Sequence, residues 1–325
     1  MGTYLQSLVD SWTELGRDEK VPFSPAIAVS MVLYSAAASI AWYAIKGTPV
    51  SIALASHGLG RTRLVICLIW LGAALFFGLL WWLRKTPPWR LSCQTLVVIF
   101  SMLIFLSVFW LYGRRGSYAY WFGSRPPWGG HQGMVPYYFF VASSVLARIL
   151  LPCLVIWVLL RGRIRDFGYG FKDATRQWWI YGILVVGVVL VVVFYASTLP
   201  AFLRKYPWCK QGVIDGTLTL DLLLIYSVLS FVFFVSGEAF WRGFLLFGVA
   251  KELGRLSLFF MVMPYVLGHL GKPLPETLGA ILAGLVLGGL ALHHRSFWLG
   301  AVSHWFVAMS MDLAALYRRG VEIIF

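Results

Sequence analysis

The stretch LDLLLIYSVLSFVFFVSGEAFWRGFLLFG, residues 220–248, decides how the chain folds. It is longer than the roughly 20 apolar residues that cross a bilayer as a helix. Two charges, Glu238 and Arg242, stand inside it four residues apart. A charged side chain at the centre of a membrane helix costs about 2.5–3.5 kcal/mol on insertion scales, so such residues are paired, face a cavity or serve a function. Spacing i,i+4 puts both on one helical face, where a charge-assisted hydrogen bond can form.

The rest of the chain extends this reading. Of 325 residues, 60% are hydrophobic, 17% aromatic and 12% charged. Mean hydropathy is +0.78. A soluble domain carries about 25% charged residues, and much of any soluble fold must face water. The composition therefore excludes a soluble enzyme, a disordered chain and a secreted disulfide scaffold. Apolar runs at about 26–45, 64–83, 91–112, 136–160, 178–198, 220–248, 256–270, 277–293 and 296–316 predict an all-α, polytopic transmembrane bundle of about nine helices. The seventh run is short enough for a half-span and stops at Gly271-Lys272-Pro273. The eighth carries Gly284 and Gly288, a small-xxx-small pattern that lets helix backbones approach closely. The chain divides into a polar N-terminal segment (1–24), an N-terminal membrane region of about five helices (25–215), a C-terminal core of about four (216–317) and a short tail (318–325). The loop at about 113–135, with Arg125, Pro126 and Pro127, reads as a structured surface loop.

The formal net charge of +14 comes from bases in short loops, such as Arg84-Lys85, Arg114-Arg115 and Arg318-Arg319. Juxtamembrane bases attract anionic lipid headgroups, so the charge implies no nucleic-acid partner. Lys and Arg on alternate sides of nine spans number 13 and 12, excluding Arg148 and Arg242, so charge bias does not orient the chain. The four cysteines form no CxxC and no zinc-knuckle spacing.

Two histidines join the charged pair as candidates: His269, ending the seventh run, and His304, in the ninth. His57, His131, His293 and His294 fall in loops or at helix ends. Asp312 lies two turns beyond His304, offset by about 80°, and is a candidate to support it. Glu276 fits the first turn of the eighth helix, where a carboxylate complements the dipole. Arg148 is expected to pair with an acid or to reach towards an interface, and Asp221 to lie at one. A Glu with a His can hold and deprotonate water, while a second His donates to the oxygen that becomes negative when a peptide carbonyl is attacked. Ser236 and Ser303 lie in no nucleophile-elbow pattern, and no HExxH occurs. Glu plus two His also matches a catalytic zinc ligand count; the expectation is no cofactor, with zinc the alternative left open by residue types.

The stretch 236–316 resembles the CAAX-protease and bacteriocin-processing family of intramembrane endopeptidases. Glu238-Ala-Phe-Trp-Arg242, followed by Gly243-Phe244, is similar to the Glu-x-x-x-Arg-Gly-aromatic core of its first motif. Tyr265-Val-Leu-Gly-His269 is similar to the second, and His304-Trp-Phe-Val-Ala308 to the third. Gly237 stands where the doubled-Glu form has its first carboxylate, so the chain resembles single-Glu members, and Ala308 replaces an amide that often assists the last His. The resemblance implies a membrane-associated peptide or protein substrate, lipid as surroundings, and a bacterial cell membrane. It implies that Glu238, oriented by Arg242, activates water with His269 while His304 stabilises the oxyanion. A catalytically inactive scaffold or immunity-type binder of the same fold is the first alternative, motivated by Gly237 and Ala308. A proton-relaying transporter is the second, and the clustering of ionisable residues in the C-terminal third argues against it.

Overall fold

The computed structural model describes residues 2–17, 19–46, 48–49, 60–123, 129–171 and 177–325. His57, Arg125, Pro126 and Pro127 lie outside the described residues. An N-terminal helix, α1 (Gly2–Arg17), precedes the bundle. Among the described residues, eight helices are long and apolar enough to cross a membrane: α2 (Pro25–Ile45), α3 (Arg61–Arg84), α4 (Cys93–Tyr112), α5 (Gly130–Leu159), α6 (Trp178–Thr198), α7 (Leu220–Leu253), α9 (Leu274–His294) and α10 (Trp298–Arg318). Between α7 and α9 lies the short apolar helix α8 (Leu256–Leu267). The protein is a polytopic helical bundle, as its composition requires. Its 12-residue α8 rises only about 18 Å, short of the roughly 30 Å hydrocarbon thickness.

Local chemistry sets the helix ends. Ser24 caps α2 by accepting from the Ile27 N–H, with Pro25 in the first turn, where its missing N–H costs nothing. Ser92 caps α4 through the Thr95 N–H. Glu276 lies in the first turn of α9 as expected. The loop after α4 contains a 3-10 turn (Arg115–Ser117) and a short helix (Tyr118–Phe122), and α5 begins at Gly130.

The C-terminal helices pack at the centre. Helix α8 is almost wholly buried, wedged between α2 and α9. Gly284 and Gly288 of α9 face it, because a Cβ at Gly288 would lie 2.4 Å from Leu258 Cδ1 and one at Gly284 3.0 Å from Val262 Cγ2. Helix α10 packs against both α6 and α7. Two short strands close one end: β1 (Thr217–Thr219) runs parallel to β2 (Glu322–Ile324), pairing Thr217 with Glu322 and Thr219 with Ile324. At the opposite end Glu19 holds Arg255, and the backbone N–H groups of Lys20 and Val21 donate to the Glu252 carbonyl.

Candidate active site

Helix α7 is not uniformly α. Directly after Glu238 it becomes a π-helix over Ala239–Phe247, and this wider segment carries Arg242. Such π segments are uncommon and concentrate at functional sites. The widened turn packs closely on its surroundings. A Cβ at Gly243 would lie 3.1 Å from the Phe167 carbonyl and 3.3 Å from the Phe297 ring, so glycine after Arg242 is a packing requirement.

Glu238 and Arg242 are both fully buried. Arg242 Nη1 donates to Glu238 Oε1 at 2.6 Å. The same oxygen lies 3.0 Å from His304 Nδ1 on α10. With an ionised carboxylate as its partner, Nδ1 is the donor, which leaves Nε2 as the basic nitrogen of a neutral ring. Phe234 packs on the His304 ring at a centroid distance of 4.6 Å. The second carboxylate oxygen, Oε2, is buried without a partner, as are Nε and Nη2 of Arg242. Oε2 faces Gly300, where an added Cβ would stand 3.3 Å away. Gly300 and His304 are one turn apart on α10 and present the same face to the carboxylate.

His269 lies just beyond α8 and reaches this centre through Tyr265. The Arg242 guanidinium stacks over the Tyr265 ring at 4.2 Å, and that ring is 4.6 Å from the His269 ring, centroid to centroid. His269 Nδ1 is 2.9 Å from the Tyr265 carbonyl, so it donates there and leaves Nε2 as acceptor. The turn is fastened from both sides. Thr277 Oγ1 donates to the His269 carbonyl at 3.1 Å, and the Tyr43 hydroxyl of α2 donates to the Lys272 carbonyl. His269 and His304 lie within electrostatic reach of each other, of Arg242 and of Lys272.

The structure thus brings Glu238, Arg242 and His304 into direct contact and sets His269 one aromatic ring away. The imidazole bonded to the carboxylate is His304, whereas the sequence reading pairs Glu238 with His269. The carboxylate leaves α7 towards α10, and His269 is tied to its own helix. Asp312 does not join them. Its carboxylate accepts from the Trp208 N–H at 2.8 Å and from the Tyr226 hydroxyl, because two helical turns carry it about 12 Å along α10 from His304. Arg148 has no acidic partner among the described residues. Its guanidinium lies between the Phe109 and Phe233 rings, at 4.5 and 5.2 Å. Glu276 pairs with Lys272 at 2.7 Å and accepts from the Tyr206 hydroxyl. Asp221 sits at the start of α7 with His131 at 2.8 Å, while His294 meets Tyr181 and Gln177. The Ser236 hydroxyl lies between Ser144 Oγ at 2.8 Å and the Phe233 carbonyl.

The sequence reading gave Gly300 no place beside the carboxylate, although its i,i+4 spacing to His304 was an available signal, and it named Tyr265 only as the aromatic opening the second motif. For a metal, the donor set is the test. Among the described residues no three His, Cys, Asp or Glu side chains form a candidate ligand group, while the Nε2 atoms of His269 and His304 remain acceptors.

Fold and site together define a multi-pass integral membrane protein with a buried carboxylate, guanidinium and imidazole in contact. Residues 219–310 match a family model described as type II CAAX prenyl endopeptidase Rce1-like. That stretch holds Glu238, Arg242, His269 and His304 and is similar in sequence to that family; residues 1–218 and 311–325 lie outside the match. No curated protein and no solved structure matches the chain.

Proposed function

We propose that the protein is an intramembrane endopeptidase that hydrolyses a peptide bond of a membrane-associated protein or peptide in a bacterial cell membrane. The reading is carried by one observation, the Glu238 carboxylate shared between Arg242 and His304 and buried at mid-helix. In this mechanism Arg242 keeps the carboxylate ionised, and Glu238 holds the His304 Nδ1–H. Nε2 of His304 takes a proton from water as the hydroxide attacks the peptide carbonyl, then gives it to the departing amine. The Glu238 charge stabilises the imidazolium that forms in between, the role a carboxylate plays beside histidine in other hydrolases. His269 Nε2 is the second acceptor that orients the water, and the unpaired N–H groups of Arg242 supply the positive field in which the oxyanion develops. No side-chain nucleophile and no metal is required.

The test is a comparison of membrane peptides in three strains: wild type, a deletion and Glu238→Gln. Uncleaved precursors accumulating in both altered strains support proteolysis. Accumulation in the deletion alone means that the protein acts without chemistry, as a scaffold or binder. Cleavage by purified protein that survives chelation supports the route through Glu238 and His304, whereas loss on chelation and recovery with zinc overturns it.

A further inference from the structure

Arg148 is a cation that the proposed chemistry does not use. It stands on α5 in a π-helical segment, Leu146–Leu150, one turn beyond Ser144, whose hydroxyl meets Ser236 of α7 at 2.8 Å. Its Nη1 would be 3.7 Å from a Cβ at Gly237, the residue before Glu238. Its Nε is buried with no hydrogen-bond partner. No carboxylate among the described residues lies within ion-pair distance of it. An uncompensated cation inside a membrane bundle is costly and marks a ligand pathway by default. The aromatic rings around it continue into the site, because Phe233, which packs against Arg148, touches Phe234, and Phe234 packs on His304.

The surroundings add charge of the same sign. Helix α4 ends beside α5, where a Cβ at Gly113 would lie 3.1 Å from Ser143 Cβ, and the next residue, Arg114, adds its field to that of Arg148. Arg114 and Arg115 in turn lie within electrostatic reach of Lys205, as does Lys272 beside His269. The acids facing this group are already engaged, Glu276 by Lys272 and Tyr206, and Asp312 by Trp208 and Tyr226. A string of half-buried cations therefore leads from one end of the bundle to the catalytic residues, with Arg148 at its inner end.

We propose that Arg148, in the space left by Gly237, binds a carboxylate of the substrate peptide and so sets which bond reaches Glu238 and His304. A planar guanidinium suits a carboxylate through paired N–H···O bonds. A membrane lipid phosphate is the other source of such an anion, and the lipid composition in the experiment below separates the two. The identification of the ligand as a peptide rests on the protease reading; the anion site does not.

The experiment measures binding to full-length Glu238→Gln protein in phosphatidylcholine nanodiscs, so cleavage is absent and success or failure is independent of the proposed chemistry. The probes are N-lauroyl-Ala-Ala-Ala with a free carboxylate, its C-terminal amide, and the amide of N-lauroyl-Ala-Glu-Ala. At least one carboxylate probe is expected to bind ten times or more tightly than the neutral amide. Preference for the free acid assigns the peptide terminus, and preference for the Glu peptide assigns an acidic side chain. Adding Arg148→Met removes the preference, and Arg148→Lys keeps part of it. Equal binding of all three probes, a preference that survives Arg148→Met, or one seen only with phosphatidylglycerol in the nanodisc overturns the proposal. A second measurement needs no ligand. Gly237→Glu should raise the melting temperature when Arg148 is present and lower it in the Arg148→Met background; absence of that coupling also overturns the assignment.

Discussion

Glu238 is held by two donors on one oxygen and left bare on the other, and the variants that probe it separate charge from shape. Glu238→Gln keeps the volume but removes the charge that steadies the His304 imidazolium. The expected loss of cleavage is about 10²–10⁴-fold, read as turnover of the folded protein, beside a lowered melting temperature because the buried Arg242 loses its counter-charge. Arg242→Leu strands a buried carboxylate, and removing one partner of a buried ion pair costs about 3–5 kcal/mol. The double variant Glu238→Gln with Arg242→Leu should recover much of that stability but no activity; a double as unstable as Arg242→Leu alone would show that the guanidinium acts through packing on Tyr265. Gly300→Val places methyl groups where an added Cβ already lies 3.3 Å from Glu238 Oε2. It should abolish cleavage and weaken the carboxylate's hold on His304, with Gly300→Ala intermediate in turnover.

At the scale of the element, α8 and α9 form the frame that carries His269. Gly288→Val drives a side chain into Leu258 and Met261, whose atoms would stand 2.4 and 2.9 Å from its Cβ. Overpacking of this kind costs about 1–3 kcal/mol, and it should lower both melting temperature and turnover by shifting α8. Gly289→Ala meets nothing within 4 Å and should leave both unchanged, which makes it the control. That contact was legible in the sequence, because glycines four apart on an apolar run mark a close helix face. The spans were legible for the same kind of reason, since apolar length is a local property that packing cannot disguise. The pair Glu238 and Arg242 was visible through spacing alone. The π-helical turn after Glu238 was not, because no residue pattern distinguishes a 3.6-residue from a wider turn within one apolar run. The partner of Glu238 was hidden too: His269 and His304 are equal as residue types, and only the direction in which α10 crosses α7 selects His304. Asp312 misled because an 80° offset looks close on a helical wheel, while the rise separates it from His304.

For the whole molecule, tertiary ties fix what charge bias leaves open. Glu19 anchors the chain after α1 to the turn between α7 and α8 through Arg255 Nη2 at 3.0 Å. Burial works against the Glu19 charge, but hydrogen bonds from the Arg255 side chain and from the Phe23 and Arg255 N–H groups outweigh it and hold the carboxyl below its ordinary value of 4.5. A lowered folded-state value stabilises fully above the unfolded one and is lost as pH falls through the folded one, so this anchor should loosen only in acid, below roughly pH 4.5. Hydrogen exchange across residues 19–23 should accelerate there, and Glu19→Gln should give the fast exchange already at neutral pH. The strand pair settles the crossing number. β1 precedes α7 and β2 follows α10, and their parallel pairing puts both on one side. Helices α7, α9 and α10 alone would make three crossings and place the strands on opposite sides, so α8 with its following turn must be a fourth. Because α8 rises only about 18 Å, the turn at His269 lies below the membrane surface, where non-helical backbone is tolerated only against protein or a water-filled cavity. Among the described residues that makes nine crossings, which puts Ser7 and Phe325 on opposite faces. Single cysteines at these two positions, in a background lacking the native four, should react with a membrane-impermeant maleimide from opposite sides of sealed vesicles. A cysteine at Lys272 should react from the Phe325 side, more slowly than one at the surface. Labelling of both ends from one side would mean that α8 does not cross, and the recessed, hydrated approach to His269 would go with it.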